Sequence, residues 1–289
     1  MKKKYPNNLQ VKFKPTAERP RYRDANTGID TDVKLDWSIE RKEAIYLITY
    51  FAGNWKLNTG KHRYSTPMVT AVLPTIPGRE KMALFAIQCF LDQTWENKEL
   101  IIVNELQMLV GDWGETKEVL VPEGLSNAAK HNVGDSLACG DYIIRWDDDD
   151  IYHPDRMAVQ MEGVIGTGAL ASTLGRRIHW LIDEDIAWVA DVNGCGTILY
   201  RNEGKSYEEA ITGGGSDSNF YQTYYSHLTT RIDNWPGLYI RTWHGKNMST
   251  KKHIKEQMPK GLKPGGRSFN SALLAYFEET AAKFKEATQ

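Results

Sequence analysis

The run Tyr142-Ile143-Ile144-Arg145-Trp146, followed at once by Asp147-Asp148-Asp149-Asp150, constrains this chain more than any other stretch. Apart from Arg145 its first five residues are β-branched or aromatic, the composition of a buried strand. Four carboxylates at the end of such a strand crowd like charges together, where desolvation and mutual repulsion both cost free energy. A hard divalent cation removes that cost, because carboxylate oxygens are the ligands Mg²⁺ and Mn²⁺ prefer. Ligands of open α/β sheets sit just beyond the carboxyl ends of strands, and a cation held there would next attract a phosphate. The competing reading is a solvated acidic turn that caps the helix begun by Pro154.

The surrounding pattern predicts a sheet for that strand to join. Residues 68–73 read as a strand, 80–91 as a helix carrying Ala83, Leu84, Ile87 and Phe90, 99–103 and 117–121 as further strands, and 126–138 as a helix capped by Ser126. Strands and helices alternating over short connections define an α/β class with a mostly parallel sheet and helices on both faces. The second half predicts a helix over 156–165 and short strands near 169–174, 178–181, 186–190 and 197–201. A glycine-rich loop at 213–215 then leads into a helix over 218–227. A last strand over 237–243 and a terminal helix over 268–287 complete the chain. Three parts follow: an N-terminal arm and packed extension (1–66, with an apolar helical face over 37–55), a central domain (67–250), and a linker with its helix (251–289).

Bulk composition narrows the function classes. With 41% hydrophobic and 25% charged residues, the chain can build a core. A net charge of −1 gives no global field for nucleic acid or anionic membrane. Cys89, Cys139 and Cys195 are odd in number and never spaced as C-x-x-C, which points to a reducing compartment and away from zinc. Cys89 and Cys139 fall in apolar helical patterns and are expected in the core. No apolar run reaches the ~18–20 residues of a membrane-spanning helix, so the expectation is a cytoplasmic protein, in the host cytoplasm if viral. G-x-G-x-x-G and the P-loop signature are absent.

Several motifs stand in a fixed order. Val69-Thr70-Ala71-Val72-Leu73-Pro74-Thr75 resembles the first strand, and Glu99-Leu100-Ile101-Ile102-Val103 the second, of family-2 glycosyltransferases with the GT-A fold. Residues Asn127 to Gly134 and Ala138 to Ile143 resemble their A-R-N-x-G and A-x-G-x-Y-I. Asp147 to Asp150 fill their metal-binding D-x-D slot, and His244-Gly245-Lys246-Asn247 resembles their late H-G-x-N. The resemblance spans roughly 68–249. It implies a GT-A, Rossmann-like sheet and a metal-dependent, inverting transfer of a hexose from a nucleotide sugar, a UDP-sugar first, to a hydroxyl acceptor.

The same resemblance distributes roles. Asp147 and Asp149 fit the outer D-x-D positions, Asp147 toward ribose or metal and Asp149 toward metal, with alternation along the strand sending Asp148 the other way. Asp148 and Asp150 share that spacing, so the register stays open by one residue, and Asp148 joins the donor-binding candidates; Asp150 otherwise caps the next helix. His244 is a further metal or diphosphate ligand, and Lys246 and Arg241 are phosphate cations. Pro74, Thr75 and Arg79 sit where the family contacts base and ribose. Asn104 and Glu105 stand where many members carry a uracil-reading Asp. Asn132 positions the base, braces a loop, or is a helix C-cap. Asp217 lies at the distance of the base that deprotonates the acceptor, or else caps its helix; Asp183, Glu184, Asp185 and Asp191 are alternative bases. Trp180 and Trp188 are either stacking platforms or core.

The expected ligands are Mn²⁺ or Mg²⁺ and the nucleotide sugar, and the expected acceptor is a glycan, a lipid-linked sugar, a protein or modified DNA. Three other readings share the acid motif: a phage-type enzyme glycosylating hydroxymethylated DNA bases through its basic arm, an inactive sugar-nucleotide binding module, and a nucleotidyltransferase.

Overall fold

The computed structural model describes residues 22–23, 30–31, 66–105, 109, 115–208, 216–245, 247 and 254–288. Two short strands, β1 (Tyr22–Arg23) and β2 (Asp30–Thr31), pair antiparallel; the rest of the expected arm and the apolar face over 37–55 lie outside the described residues.

The central element is a seven-stranded sheet in the order β12-β8-β11-β6-β3-β4-β5. Strands β3 (Val69–Pro74), β4 (Lys98–Glu105), β5 (Thr116–Val121) and β6 (Tyr142–Arg145) run parallel. All six residues of β3 are buried, as expected where helices cover both faces of a parallel sheet. Against this sheet lie α1 (Glu80–Leu91), α2 (Asn127–Leu137) and α3 (Arg156–Thr167). Ser126 caps α2 by accepting from Ala129 N, as its position predicts. Gly134 lets α2 approach β3 closely, since a Cβ there would lie 2.3 Å from Val72 Cγ1. Beyond β6 the sheet continues through antiparallel β11 (Leu199–Arg201), then β8 (Ala171–Leu174) and β12 (Thr229–Ile232).

A second sheet, in the order β14-β10-β9-β13-β7, carries β7 (Ile151–Tyr152), β9 (Arg176–Leu181), β10 (Ile186–Asp191), β13 (Tyr239–Trp243) and β14 (Arg267–Ser268). The chain leaves the large sheet at Arg145 and enters the small one at Ile151. The four acids are therefore the crossover between two sheets, and the strand reading ends one residue before Trp146. The terminal helix α5 (Ser271–Thr288) packs back on α1, with Phe284 edge-on to Phe85 at 5.1 Å, and on Trp180.

Several sequence expectations shift. β7, β12 and β14 are too short, or too polar on one face, to stand out from the pattern. The expected helix over 218–227 is α4 (Ser216–Phe220) continued by one π turn, Tyr221–Tyr225. Cys89 is buried but Cys139 is exposed: it follows the end of α2, with its Sγ 3.8 Å from Lys117 Nζ. Trp180 and Trp188 are fully buried core residues.

Candidate active site

Because Asp148 and Asp149 lie in a turn, strand alternation does not govern the acid run, and each carboxylate finds a different partner. Asp147 turns toward Arg145, 3.5 Å away. Asp148 accepts from Thr75 Oγ1 at 2.8 Å and from Arg79 Nη1 at 2.7 Å. Asp149 Oδ2 accepts from the same Arg79 nitrogen at 3.1 Å, from His244 Nε2 at 3.0 Å and from Asn247 Nδ2 at 3.2 Å. Asp150 hydrogen-bonds Tyr239 Oη and accepts from Thr242 N at 2.8 Å. It therefore ties the turn to β13, whereas the residue at the start of α3 is Asp155.

Electrostatics follow from that crowding. Burial and the neighbouring Asp149 push the Asp148 carboxyl up to about 6, against the pull of Arg79 and Thr75. Burial, then Asp149 and Asp147, push the Asp150 carboxyl up to about 8. Burial would also raise Asp149, but the His244 hydrogen bond and the charge of Arg79 outweigh it and hold Asp149 below its ordinary value. The turn thus keeps one firmly ionised carboxylate at its centre.

The late histidine reaches Asp149 through local geometry. Gly245 takes φ +83°, a left-handed conformation that glycine adopts at no steric cost. Asn247 then folds back, accepting from His244 N at 2.9 Å and donating to Thr242 O at 3.0 Å. Because an ionised Asp149 can only accept, His244 donates to it from Nε2. Arg241 stacks on Trp243, 4.8 Å from its ring, and adds positive charge to the acid turn. Lys246 lies outside the described residues.

Asp217, at the start of α4, is held by Arg145, which also faces Asp147. One buried guanidinium therefore connects the acid turn with the candidate base. Three of the four alternative bases pair elsewhere: Asp185 with Arg267 and Lys285, Glu184 with Lys255, and Asp191 with Arg231. At the end of β4, Glu105 pairs with the buried Lys130 at 2.5 Å, and Lys130 also donates to Thr75 O, the residue after Pro74. Asn104 donates to Glu118 and accepts from Glu105 N. Asn132 lies inside α2 and grips the Tyr207 backbone at both its N–H and its C=O, which makes it the brace of a loop.

Beneath the turn, the fully buried Arg156 lies 4.7–5.1 Å from the rings of Trp146, Tyr152 and Tyr239 and donates to Arg145 O at 3.0 Å. Sequence reading missed Arg145, Arg156, Lys130, Thr242 and Tyr239. Lys130 stood in the segment resembling A-R-N-x-G, and Tyr239, Thr242 and Asn247 in the late H-G-x-N segment, so their positions were visible but their partners were not.

Asp147, Asp149 and His244 offer carboxylate and imidazole donors, a set that suits Mn²⁺ or Mg²⁺. Among the described residues, no three His, Cys, Asp or Glu side chains are gathered closely enough to hold a metal as they stand. No helix among those residues is long and apolar enough to cross a membrane.

Fold and site together define an α/β protein with an acidic turn beyond the carboxyl end of a mostly parallel sheet. No protein-family model matches the sequence, and no curated protein matches it either. Solved structures similar to it include TarS and a mannosyltransferase. TarS 1–349 of S. aureus aligns at 12% identity over 61% of this chain and 60% of its own, with a TM-score of 0.47; the same protein in complex with UDP gives 0.48. A mannosyltransferase of Pyrobaculum calidifontis, in complex with GDP-Man and Mn²⁺, aligns at 13% identity over 71% of this chain and 66% of its own, with a TM-score of 0.47. The alignments thus span about three fifths to two thirds of those chains.

Proposed function

We propose that this chain is a metal-dependent, inverting glycosyltransferase that moves a hexose from a nucleotide sugar, with a UDP-sugar as the first candidate, to a hydroxyl acceptor. The observation that carries the reading is the convergence on Asp149: residues from the β3–α1 loop, the acid turn and the end of β13 meet at a single carboxylate oxygen. Asp147, Asp149 and His244 would hold the divalent ion, which supplies Lewis-acid stabilisation of the departing diphosphate. Thr75 and Pro74 border the donor, and the Lys130–Glu105 pair fixes their loop against β4. Asn104 and Glu105 are proposed to read the base, Asn132 to brace the loop over the site, and Lys246 to contribute phosphate charge. Asp217 takes the acceptor proton, with Arg145 fixing its distance from Asp147.

Thermal shift against a panel of nucleotide sugars and diphosphates, with and without Mn²⁺, tests this, because ligand binding raises apparent stability by mass action. A rise for one nucleotide class that grows with Mn²⁺ supports the reading. No response to any nucleotide, with or without metal, removes it.

A further inference from the structure

We propose that Arg79 is the site's own counter-cation, holding the acid turn in the nucleotide-free chain and leaving Asp149 when nucleotide and divalent ion bind together. The inference rests on the transferase reading and adds to it an exchange of cations at Asp148 and Asp149. Arg79 Nη1 bridges Asp148 and Asp149 at 2.7 and 3.1 Å. Counting His244 and Asn247, three N–H donors converge on Asp149 Oδ2. Two carboxylates already bridged by a guanidinium attract a second cation less strongly than two bare ones. Asp148 and Asp149 thus close on the Arg79 guanidinium, while Asp147 faces Arg145.

Arg79 also has somewhere to go. It lines a cavity of about 520 Å³ with Gly78, Glu80, Lys81, His244 and Lys285. A guanidinium turning from the carboxylates into that space can meet diphosphate oxygens with two parallel hydrogen bonds. Its departure removes the guanidinium charge shared by Asp148 and Asp149, so that a divalent ion can take its place as the diphosphate arrives. Arg79 thus couples the two ligands, and by linkage each tightens the other.

The test is Mn²⁺ binding followed by electron paramagnetic resonance, with and without UDP or GDP, on the wild-type chain and on Arg79→Gln. Removing the guanidinium is expected to tighten Mn²⁺ alone by about tenfold, within the range of site-to-site couplings, and to weaken nucleotide binding without metal. Arg79→Lys, whose compact ammonium lacks the planar fork, is expected to shift Mn²⁺ affinity the same way but less. It carries the test if Arg79→Gln does not fold. Equal Mn²⁺ affinity in wild type and variants overturns the proposal. Nucleotide binding with no Mn²⁺ uptake in any chain also overturns it, since Arg79 would then be the permanent cation while the nucleotide reading stands. Failure to bind both nucleotide and Mn²⁺ overturns the transferase reading, and the exchange with it.

Discussion

Arg145 and Asp217 are 72 positions apart in sequence, yet the buried Arg145 donates from Nη1 to the half-buried Asp217 Oδ1. Arg145 lies at the carboxyl end of β6 and also faces Asp147, so the geometry of the acid turn is transmitted to Asp217 through one planar group. If Asp217 takes the acceptor proton, its loss must affect the chemical step and spare donor binding. Asp217→Asn is expected to lower kcat by about 10²–10⁴-fold, the usual weight of a general base, with donor Kd unchanged by calorimetry. Equal losses in kcat and in donor affinity would move the base elsewhere.

Asp149 is the meeting point of three donors and the most firmly ionised member of the turn. Asp149→Ala is expected to abolish stimulation of turnover by Mn²⁺ while far-UV circular dichroism stays native. The fold should survive because Asp150 separately ties the turn to β13. Unreduced metal-stimulated turnover would remove Asp149 from the metal set.

How much of this was legible in the sequence depended on the range of the interaction. β3, β4 and β6 announce themselves, because a strand buried on both faces must be apolar along its length. The acid run was visible as a site, but its internal geometry was not. Alternation predicts that Asp147 and Asp149 share a face, whereas the turn gives Asp148 and Asp149 a common partner in Arg79. The second sheet was hidden for a related reason. β7 is two residues long and exists only because β13 arrives from far along the chain to pair Tyr239 with Tyr152. Arg145 and Arg156 read as interruptions of apolar segments. The partners that settle them, Asp217 for Arg145 and Tyr239 for Arg156, come from distant parts of the chain.

Gly134 tests whether the α2–β3 approach sets the site. A Cβ added there would meet the Val72 side chain at 2.3 Å, so either α2 or Val72 must give way. Gly134→Ala is expected to cost about 1–3 kcal/mol, the range for overpacking a filled core, read from urea unfolding. Since α2 carries Lys130, the same substitution should also weaken nucleotide binding. An unchanged unfolding midpoint would mean that the interface has slack.

Asp135, one turn beyond His131 on α2, is the clearest source of pH-dependent stability away from the acid turn. Its Oδ2 accepts from Tyr200 Oη at 2.7 Å, and its Oδ1 has no hydrogen-bond partner among the described residues. Burial pushes its carboxyl up to about 7, against the Tyr200 hydrogen bond and the charge of Arg145. An unfolded Asp titrates near ~3.9, so between that pH and about 7 the folded state binds the extra proton. The stabilisation is complete below the unfolded value and is lost as pH rises through the folded one. Asp135→Asn stays neutral throughout and should remove this component. The difference in Tm between Asp135→Asn and wild type should therefore widen in the variant's favour from pH 5 to pH 8. Parallel Tm curves across that window would mean that the Asp135 carboxyl titrates alike folded and unfolded.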